Sequence, residues 1–182
     1  LLSSVNFCHA ADTIRFPSHI ASHMVIQRGQ PFALTGVAGP HATIKVAVAG
    51  QTHTGTTDHS GAFSILLPAR TASTTPITIS VTSSRGATNV LEDVLVGDVY
   101  ISSGQSNMEL SVSWCYNYDK FVAESPTVGA TLRVAQVALL PGYYNVTEPQ
   151  TNLTLSTPWS RADTTNVPGM SAIAYFTALE MV

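Results

Sequence analysis

The chain has 182 residues, of which 45% are hydrophobic and 10% are charged, so it contains enough apolar sequence to bury a sizeable core. Its eight Lys and Arg residues stand singly and its formal net charge is −3, which argues against a nucleic acid partner. No apolar run reaches the roughly 18 residues of a membrane span, and no His, Cys or carboxylate cluster has ligand spacing, so we expect no membrane, metal or cofactor partner.

The first eleven residues, LLSSVNFCHAA, have the pattern of the end of a secretory signal peptide. Short apolar residues lead to Cys8-His9-Ala10, where Cys8 and Ala10 fit a small-x-small cleavage site. The alternative is a frayed N-terminal segment of a cytosolic protein. We predict that residues 1–11 are a signal-peptide remnant and that the protein is secreted or lysosomal.

Residues 12–96 are predicted to form a β domain. Between Phe32 and about Val96, apolar and polar residues alternate in short runs, and turn signals such as Ser60-Gly61 separate them. Short strands of period two with no helix between them predict an antiparallel sandwich or barrel. The inward-facing residues of three runs are Ile44, Val46 and Val48, then Phe63, Ile65 and Leu67, then Ile77, Ile79 and Val81.

The pattern changes near Val96. Residues 96–101 are predicted to be a strand buried on both faces, and the small residues that follow predict a tight turn before a helix or loop from Asn107. A second strand is predicted over residues 132–140. Residues 97–182 are therefore predicted to be the opening of an α/β sheet.

The last forty residues contain a loop and a helix. Residues 143–168 read as a long surface loop with sequons at Asn145 and Asn152, which would carry glycans in a secreted protein. Ser171 can cap a closing helix that is apolar almost all round and is predicted to be buried. No helix-ending signal precedes Val182, so we predict that the sequence stops inside an element.

Ser106 is the candidate nucleophile. It follows a predicted buried strand and a sharp turn, which is where α/β hydrolytic enzymes place a catalytic serine. Gly104 permits close approach of the backbone, and the Ser106 N–H is a candidate oxyanion donor. The alternative is that Ser106 only caps a helix.

Four stretches together resemble one known family. Residues 97–100 (GDVY) and 103–109 (SGQSNME) are similar to the nucleophile block of the sialate O-acetylesterases, a branch of the SGNH, or GDSL-like, hydrolases. Residues 23–29 (HMVIQRG) resemble the family's N-terminal signature, and residues 171–176 resemble the helix before its next catalytic block. Asp58-x-x-Gly61-x-Phe63 resembles its sandwich hairpin. The resemblance implies a jelly-roll-like β-sandwich followed by the beginning of an α/β SGNH-hydrolase domain, truncated at the C-terminus.

The resemblance also implies a serine carbohydrate O-acetylesterase, with position 9 of a sialic acid as the expected substrate and acetylated plant polysaccharides as the rival. In the family the catalytic His and Asp come from a later block, which is absent from this chain. All six histidines precede residue 60, and His23 and His59 match positions that the family uses structurally or leaves variable. The isolated chain is therefore expected to be inactive. The rest of the domain either follows in a longer polypeptide of which this chain is a fragment, or comes from a second chain of a cleaved precursor.

Several neighbours of Ser106 have two readings. Gln105, Asn107 and Trp114 are predicted to line the substrate pocket, although the aromatic residues after the nucleophile would equally pack over the sheet edge. Asp98 is predicted to hold the turn through backbone N–H groups. Cys115 is left unpaired if Cys8 is removed with the signal, so it is either a free thiol or bonded to a partner outside these residues.

One function from a different class stays open. The chain would also fit a non-catalytic truncated product that binds glycans or partners through its sandwich.

Overall fold

The computed structural model describes residues 12–138 and 153–181. The predicted signal remnant, the sequons at Asn145 and Asn152, and the end of the strand predicted over residues 132–140 lie outside the described residues.

Residues 12–97 contain seven strands in two sheets. The strands are β1 (Val25–Gln27), β2 (Phe32–Val37), β3 (Thr43–Val48), β4 (Gln51–Thr56), β5 (Ala62–Leu67), β6 (Ser73–Ser83) and β7 (Thr88–Gly97). The larger sheet has the order β1-β7-β6-β3-β4, and the smaller one pairs β2 with β5. Neighbouring strands run antiparallel, except that β1 lies parallel to β7.

Side chains from both sheets share one core. Alternate residues of β3 and β5 are buried, as the period-two pattern predicted. Ile77 is only half-buried because the pairing of β6 with β7 shifts register between Ile77 and Ile79. Each large apolar side chain that is fully buried stabilises the fold by roughly 1.5–3 kcal/mol. Fully buried members of this core include Leu34, Ile44, Val46, Ile79, Val81 and Val94.

The chain after β7 is mixed. Its strands β8 and β9 pair antiparallel, and a second, smaller core joins its helices and turns. None of the described helices is both long and apolar enough to cross a membrane. The elements are α1 (Ser106–Glu109), a 3₁₀ turn (Val112–Trp114), α2 (Tyr118–Val128), β8 (Arg133–Val137), β9 (Leu155–Arg161), a second 3₁₀ turn (Val167–Gly169) and α3 (Ala172–Leu179).

Residues before β1 tie the two parts of the chain together. The Ser18 hydroxyl donates to the carbonyl of Leu153 at 2.9 Å and accepts from the N–H of Leu155 at 3.2 Å. The indole N–H of Trp159 donates to the carbonyl of His19 at 3.0 Å. The N-terminal segment therefore packs against β9 as well as against the first core.

The strand predicted over residues 96–101 is wrong beyond Gly97. The neighbours of β7 end at that level, because the β1 ladder closes with Gln27 opposite Gly97 and the β6 ladder reaches Val96. Residues 98–104 belong to no strand, and Ile101 is 93% exposed.

Two further expectations need correction. The helix α3 is capped by Ser171 as predicted, but only its face on the second core is buried, and Ile173 is nearly half exposed. The loop predicted over residues 143–168 contains β9, because Leu155–Arg161 finds a partner in β8. The predicted α/β opening stays a prediction.

Candidate active site

Ser106 is the first residue of α1 and is exposed to solvent. The N-cap position belongs to Gln105, whose side chain makes no capping hydrogen bond, while its carbonyl accepts from the Met108 N–H at 2.7 Å. Ser106 therefore does not cap the helix. Among residues 12–138 and 153–181, the Ser106 hydroxyl has no hydrogen-bond partner.

Gly104 lies in the turn before the serine, close to the side chain of Met108. A Cβ at this position would collide with the side chain of Met108. The close approach that the sequence suggested is thus between Gly104 and Met108, and it lets the chain fold back as α1 begins.

The chain that leads from β7 to Ser106 is held at its start by β1. The Gln27 carboxamide oxygen accepts from the N–H of Val99 at 2.9 Å, and its nitrogen lies 3.3 Å from the Asp98 carboxylate. Arg28 Nε donates to the same carboxylate oxygen at 2.8 Å. Asp98 therefore accepts from these side chains rather than from the backbone N–H groups that we expected.

The chain that follows α1 is held by the start of α3. The N–H of Ala172 donates to the carbonyl of Leu110 at 2.7 Å, and the N–H of Val112 donates to the carbonyl of Met170 at 3.0 Å. Tyr175, almost fully buried in the second core, anchors α3 itself. Ser106 thus lies between one anchor on β1 and another on α3.

The three predicted pocket residues lie on the surface. Gln105 and Asn107 flank Ser106 and are exposed, and Trp114 ends the first 3₁₀ turn with 76% of its surface exposed. In the described part of the chain no hydrogen bond joins Trp114 to Ser106. The exposure of Trp114 and Tyr116 argues against packing over a sheet edge, while the pocket itself stays a prediction.

His23 belongs to an ion cluster. Its Nδ1 lies 2.7 Å from an Asp93 oxygen, and the carboxylate also receives Arg161 Nε at 2.8 Å and Arg133 Nη2 at 3.1 Å. We define this group as the Asp93 cluster: His23, Asp93, Arg133 and Arg161. His59, the other histidine weighed as a base, is exposed in the turn after β4.

The Asp93 cluster joins β7 to β8 and β9. Burial by itself would raise the pKa of the Asp93 carboxyl, but hydrogen bonds from Arg161 and His23 and the charge of Arg133 outweigh it. The pKa of Asp93 is therefore held well below its usual value of 3.8. A carboxylate that is so strongly held is a poor proton acceptor at neutral pH.

Sequence reasoning missed the contacts of Gln27, Arg28 and Asp93. The first two lie in the HMVIQRG motif, which was noticed only as a resemblance. Asp93 interrupts the otherwise apolar second half of β7, and a charged residue in such a run is a signal for a buried partner. Its partners Arg133 and Arg161 are 40 and 68 residues away in the chain, so no local pattern identifies them.

Comparison with known proteins now bears on this site. No family model matches the chain. It is 28% identical over 176 residues to the sialate O-acetylesterase of Mus musculus, in an alignment that covers 91% of this chain and 31% of the mouse protein. The crystal structure of a carbohydrate acetylesterase from Xanthomonas citri superposes on 92% of this chain with a TM-score of 0.81 and 32% identity. The chain resembles the sialate O-acetylesterases along most of its length.

The fold of the bacterial carbohydrate acetylesterase is thus shared along 92% of this chain. The chain spans 31% of the mouse relative and 37% of the bacterial chain, or about a third of each. The resemblance read from residues 97–109 and from the other three motifs is confirmed at the level of the family.

Proposed function

We propose that this chain contributes the nucleophile of a serine carbohydrate O-acetylesterase, with Ser106 as the attacking residue. The observation that carries the proposal is the presentation of Ser106, which is exposed at the first position of α1 and does not cap that helix, in a chain that resembles the sialate O-acetylesterases. The names of both relatives describe acetylesterases, which supports the reaction class.

In the proposed reaction, Ser106 Oγ attacks the carbonyl carbon of an acetyl ester on a sugar. The bond from that carbon to the sugar oxygen breaks, the sugar leaves as an alcohol after taking a proton, and water then hydrolyses the acetyl-serine. The Ser106 N–H is proposed to donate to the oxyanion, and Gln105, Asn107 and Trp114 to contact the sugar. We propose sialate 9-O-acetyl esters as the substrate.

The proton of Ser106 needs a base, which we propose lies in polypeptide beyond these residues. All six histidines precede residue 60, and His23 is engaged by Asp93, which leaves no histidine of the described residues hydrogen-bonded to the serine. The isolated chain is therefore proposed to lack triad catalysis.

Exposed apolar side chains beside the site support a missing neighbour. Tyr100 and Ile101 lie on the segment before Ser106, and Trp114 and Tyr116 lie after it, all largely exposed. Because the relatives are about three times longer, we propose that the rest of the hydrolase domain packs on these side chains. That polypeptide is either continuous with this chain or a second chain.

The decisive experiment measures acetate release from 9-O-acetylated sialic acid and from acetylated xylan. The natural protein that contains this chain, its Ser106→Ala variant and residues 1–182 alone are compared, with Ser102→Ala, an exposed serine outside the nucleophile block, as the matched control. We expect activity on the sialate, its loss by at least about 10³-fold in Ser106→Ala, and near-normal rates in Ser102→Ala.

Three results would contradict the proposal. Full activity in Ser106→Ala would show that Ser106 is not the nucleophile. Enzyme-like rates from residues 1–182 alone would show that the base does not lie beyond these residues. Hydrolysis of acetylated xylan alone would exclude sialate specificity. Glycan binding without hydrolysis by the natural protein would favour the second candidate, a binding module.

We also propose that the protein is secreted or lysosomal, with glycans at Asn145 and Asn152. In the same preparation, an endoglycosidase is expected to lower the mass of the protein. An unchanged mass would argue against this route.

A further inference from the structure

We propose that Gln27 is a positioning residue for Ser106, whose carboxamide replaces a peptide group beyond the end of β1 and fixes the path of the chain toward the serine. This inference rests on the proposed function, because it concerns the same serine. It adds a role for a residue more than seventy positions earlier in the chain.

Backbone pairing between β1 and β7 ends before the chain reaches Ser106. The ladder between β1 and β7 ends with Gln27 opposite Gly97, and the Arg28 N–H adds one more bond to the Gly97 carbonyl at 2.8 Å. The chain then turns away at Gly29, whose φ is +70° and whose N–H donates to the carbonyl of Arg70. Backbone pairing with β1 therefore stops just where the chain leaves β7.

The Gln27 side chain continues that pairing. A primary amide offers both a donor and an acceptor, as a peptide group does. Its oxygen accepts from the Val99 N–H at 2.9 Å, and its nitrogen points to Asp98 Oδ1 at 3.3 Å. Arg28 Nε donates to the same oxygen at 2.8 Å, so Asp98 and Val99 are fixed together.

Few other contacts hold the segment between β7 and α1. Among the described residues, no other hydrogen bond reaches residues 98–104, and α1 begins two positions later. The orientation of residues 98 and 99 consequently sets the direction in which the chain approaches Ser106. A nucleophile misplaced by about 1 Å can lose on the order of 10²-fold in rate.

The contacts of Gln27 contribute little to the global stability of the protein. Gln27, Arg28 and Asp98 are all exposed, and exposed polar pairs add little to global stability. Replacing Gln27 is therefore expected to release the segment without unfolding the sheets. This separates a positioning role from a merely structural one.

The test compares Gln27→Ala with Gln30→Ala in residues 1–182 and in the natural protein. Gln30 is an exposed glutamine of the same turn, and its side chain has no hydrogen-bond partner in the described part of the chain. In Gln27→Ala we expect the Val99 amide to exchange its hydrogen about 2- to 10-fold faster, as loss of one hydrogen bond implies. Unfolding midpoints should match in the two variants, and kcat of the natural protein should fall by about tenfold in Gln27→Ala with little change in KM.

Unchanged exchange at Val99, or faster exchange at Val99 with unchanged kcat, would overturn the inference. A lower unfolding midpoint with faster exchange throughout the sheets would also overturn it, because the role would then be structural. Failure of the proposed function is read separately, from Ser106→Ala: activity that survives this change refutes the nucleophile whatever Gln27 does.

Discussion

Removal of the Asp93 carboxylate should destabilise the protein far more than removal of its exposed partners. The Arg133 side chain is fully buried and lies 3.1 and 3.2 Å from the two Asp93 oxygens, whereas Arg161 is 53% exposed. Breaking a buried pair from one side leaves an uncompensated charge and costs about 3–5 kcal/mol. An exposed pair is worth at most about 1 kcal/mol.

The structure shows why Arg133 cannot compensate. Its Nη1 donates to backbone carbonyls, the nearest being that of Gly129 at 2.6 Å. Its Nη2 donates to the Asp93 carboxylate, and its Nε has no hydrogen-bond partner among the described residues. Asp93→Ala is therefore expected to lower the free energy of unfolding by about 3–5 kcal/mol. Arg161→Ala should lower it by no more than about 1 kcal/mol.

Urea unfolding of the two variants measures the difference. Asp93→Asn is the better-matched variant, because Asp93 has a φ of +54° and asparagine tolerates this left-handed conformation. Adding Arg133→Met to Asp93→Asn removes the stranded charge and should recover much of the loss. Equal, small losses in Asp93→Ala and Arg161→Ala would refute the reasoning.

The same carboxylate gives a pH dependence with a definite sign. Because the folded-state pKa of Asp93 lies below its usual 3.8, its stabilisation is present above that pH and is lost as the pH falls toward the folded-state pKa. In Asp93→Asn this part of the acid-side decrease should disappear. An identical slope below pH 3.8 in both proteins would contradict it.

Two further predictions concern the turns of the first part. Gly61 has a φ of +88°, and a Cβ there would overlap the Ala38 carbonyl oxygen, so Gly61→Ala should lower the free energy of unfolding by more than about 2 kcal/mol. Gly50 has a φ of +76° with open space around it, so Gly50→Ala should lower it by about 1 kcal/mol. Equal shifts of the thermal unfolding midpoint in the two variants would contradict the clash at Gly61. The Ser60 hydroxyl donates to Asp58 at 2.6 Å and is the main cause of the lowered pKa of Asp58, so carboxyl NMR should show this pKa rising toward 3.8 in Ser60→Ala but changing less in His59→Ala.

Most strands could be predicted from the sequence because the alternation of apolar and polar residues is a local pattern. Burial of Ile44, Val46 and Val48 follows directly from alternation along one strand. The strand predicted to reach Ile101 failed because apolar residues alone do not show where the neighbouring strands end. The chain just beyond β7 is held by Gln27, some seventy residues earlier.

The candidate site could be predicted from the sequence only in part. Ser106 stands in a recognisable motif, and the glycine at position 104 suggested the close backbone approach that the structure shows toward Met108. The supports of the site come from distant contacts, such as Ala172 with Leu110, which no spacing in the sequence announces. No spacing in these residues identifies the base that we propose for Ser106.

The hydrogen bonds that join Ser18 and His19 to β9 can form only late in synthesis, after β9 has been translated. Their partners lie 135 to 140 residues later, so at 5–20 residues per second the N-terminal segment waits roughly 7–28 seconds on the ribosome. The strands β3 to β7 can pair during that interval. A nascent chain released before Trp159 would hold those strands folded, with its oldest residues still lacking the anchor that is made last.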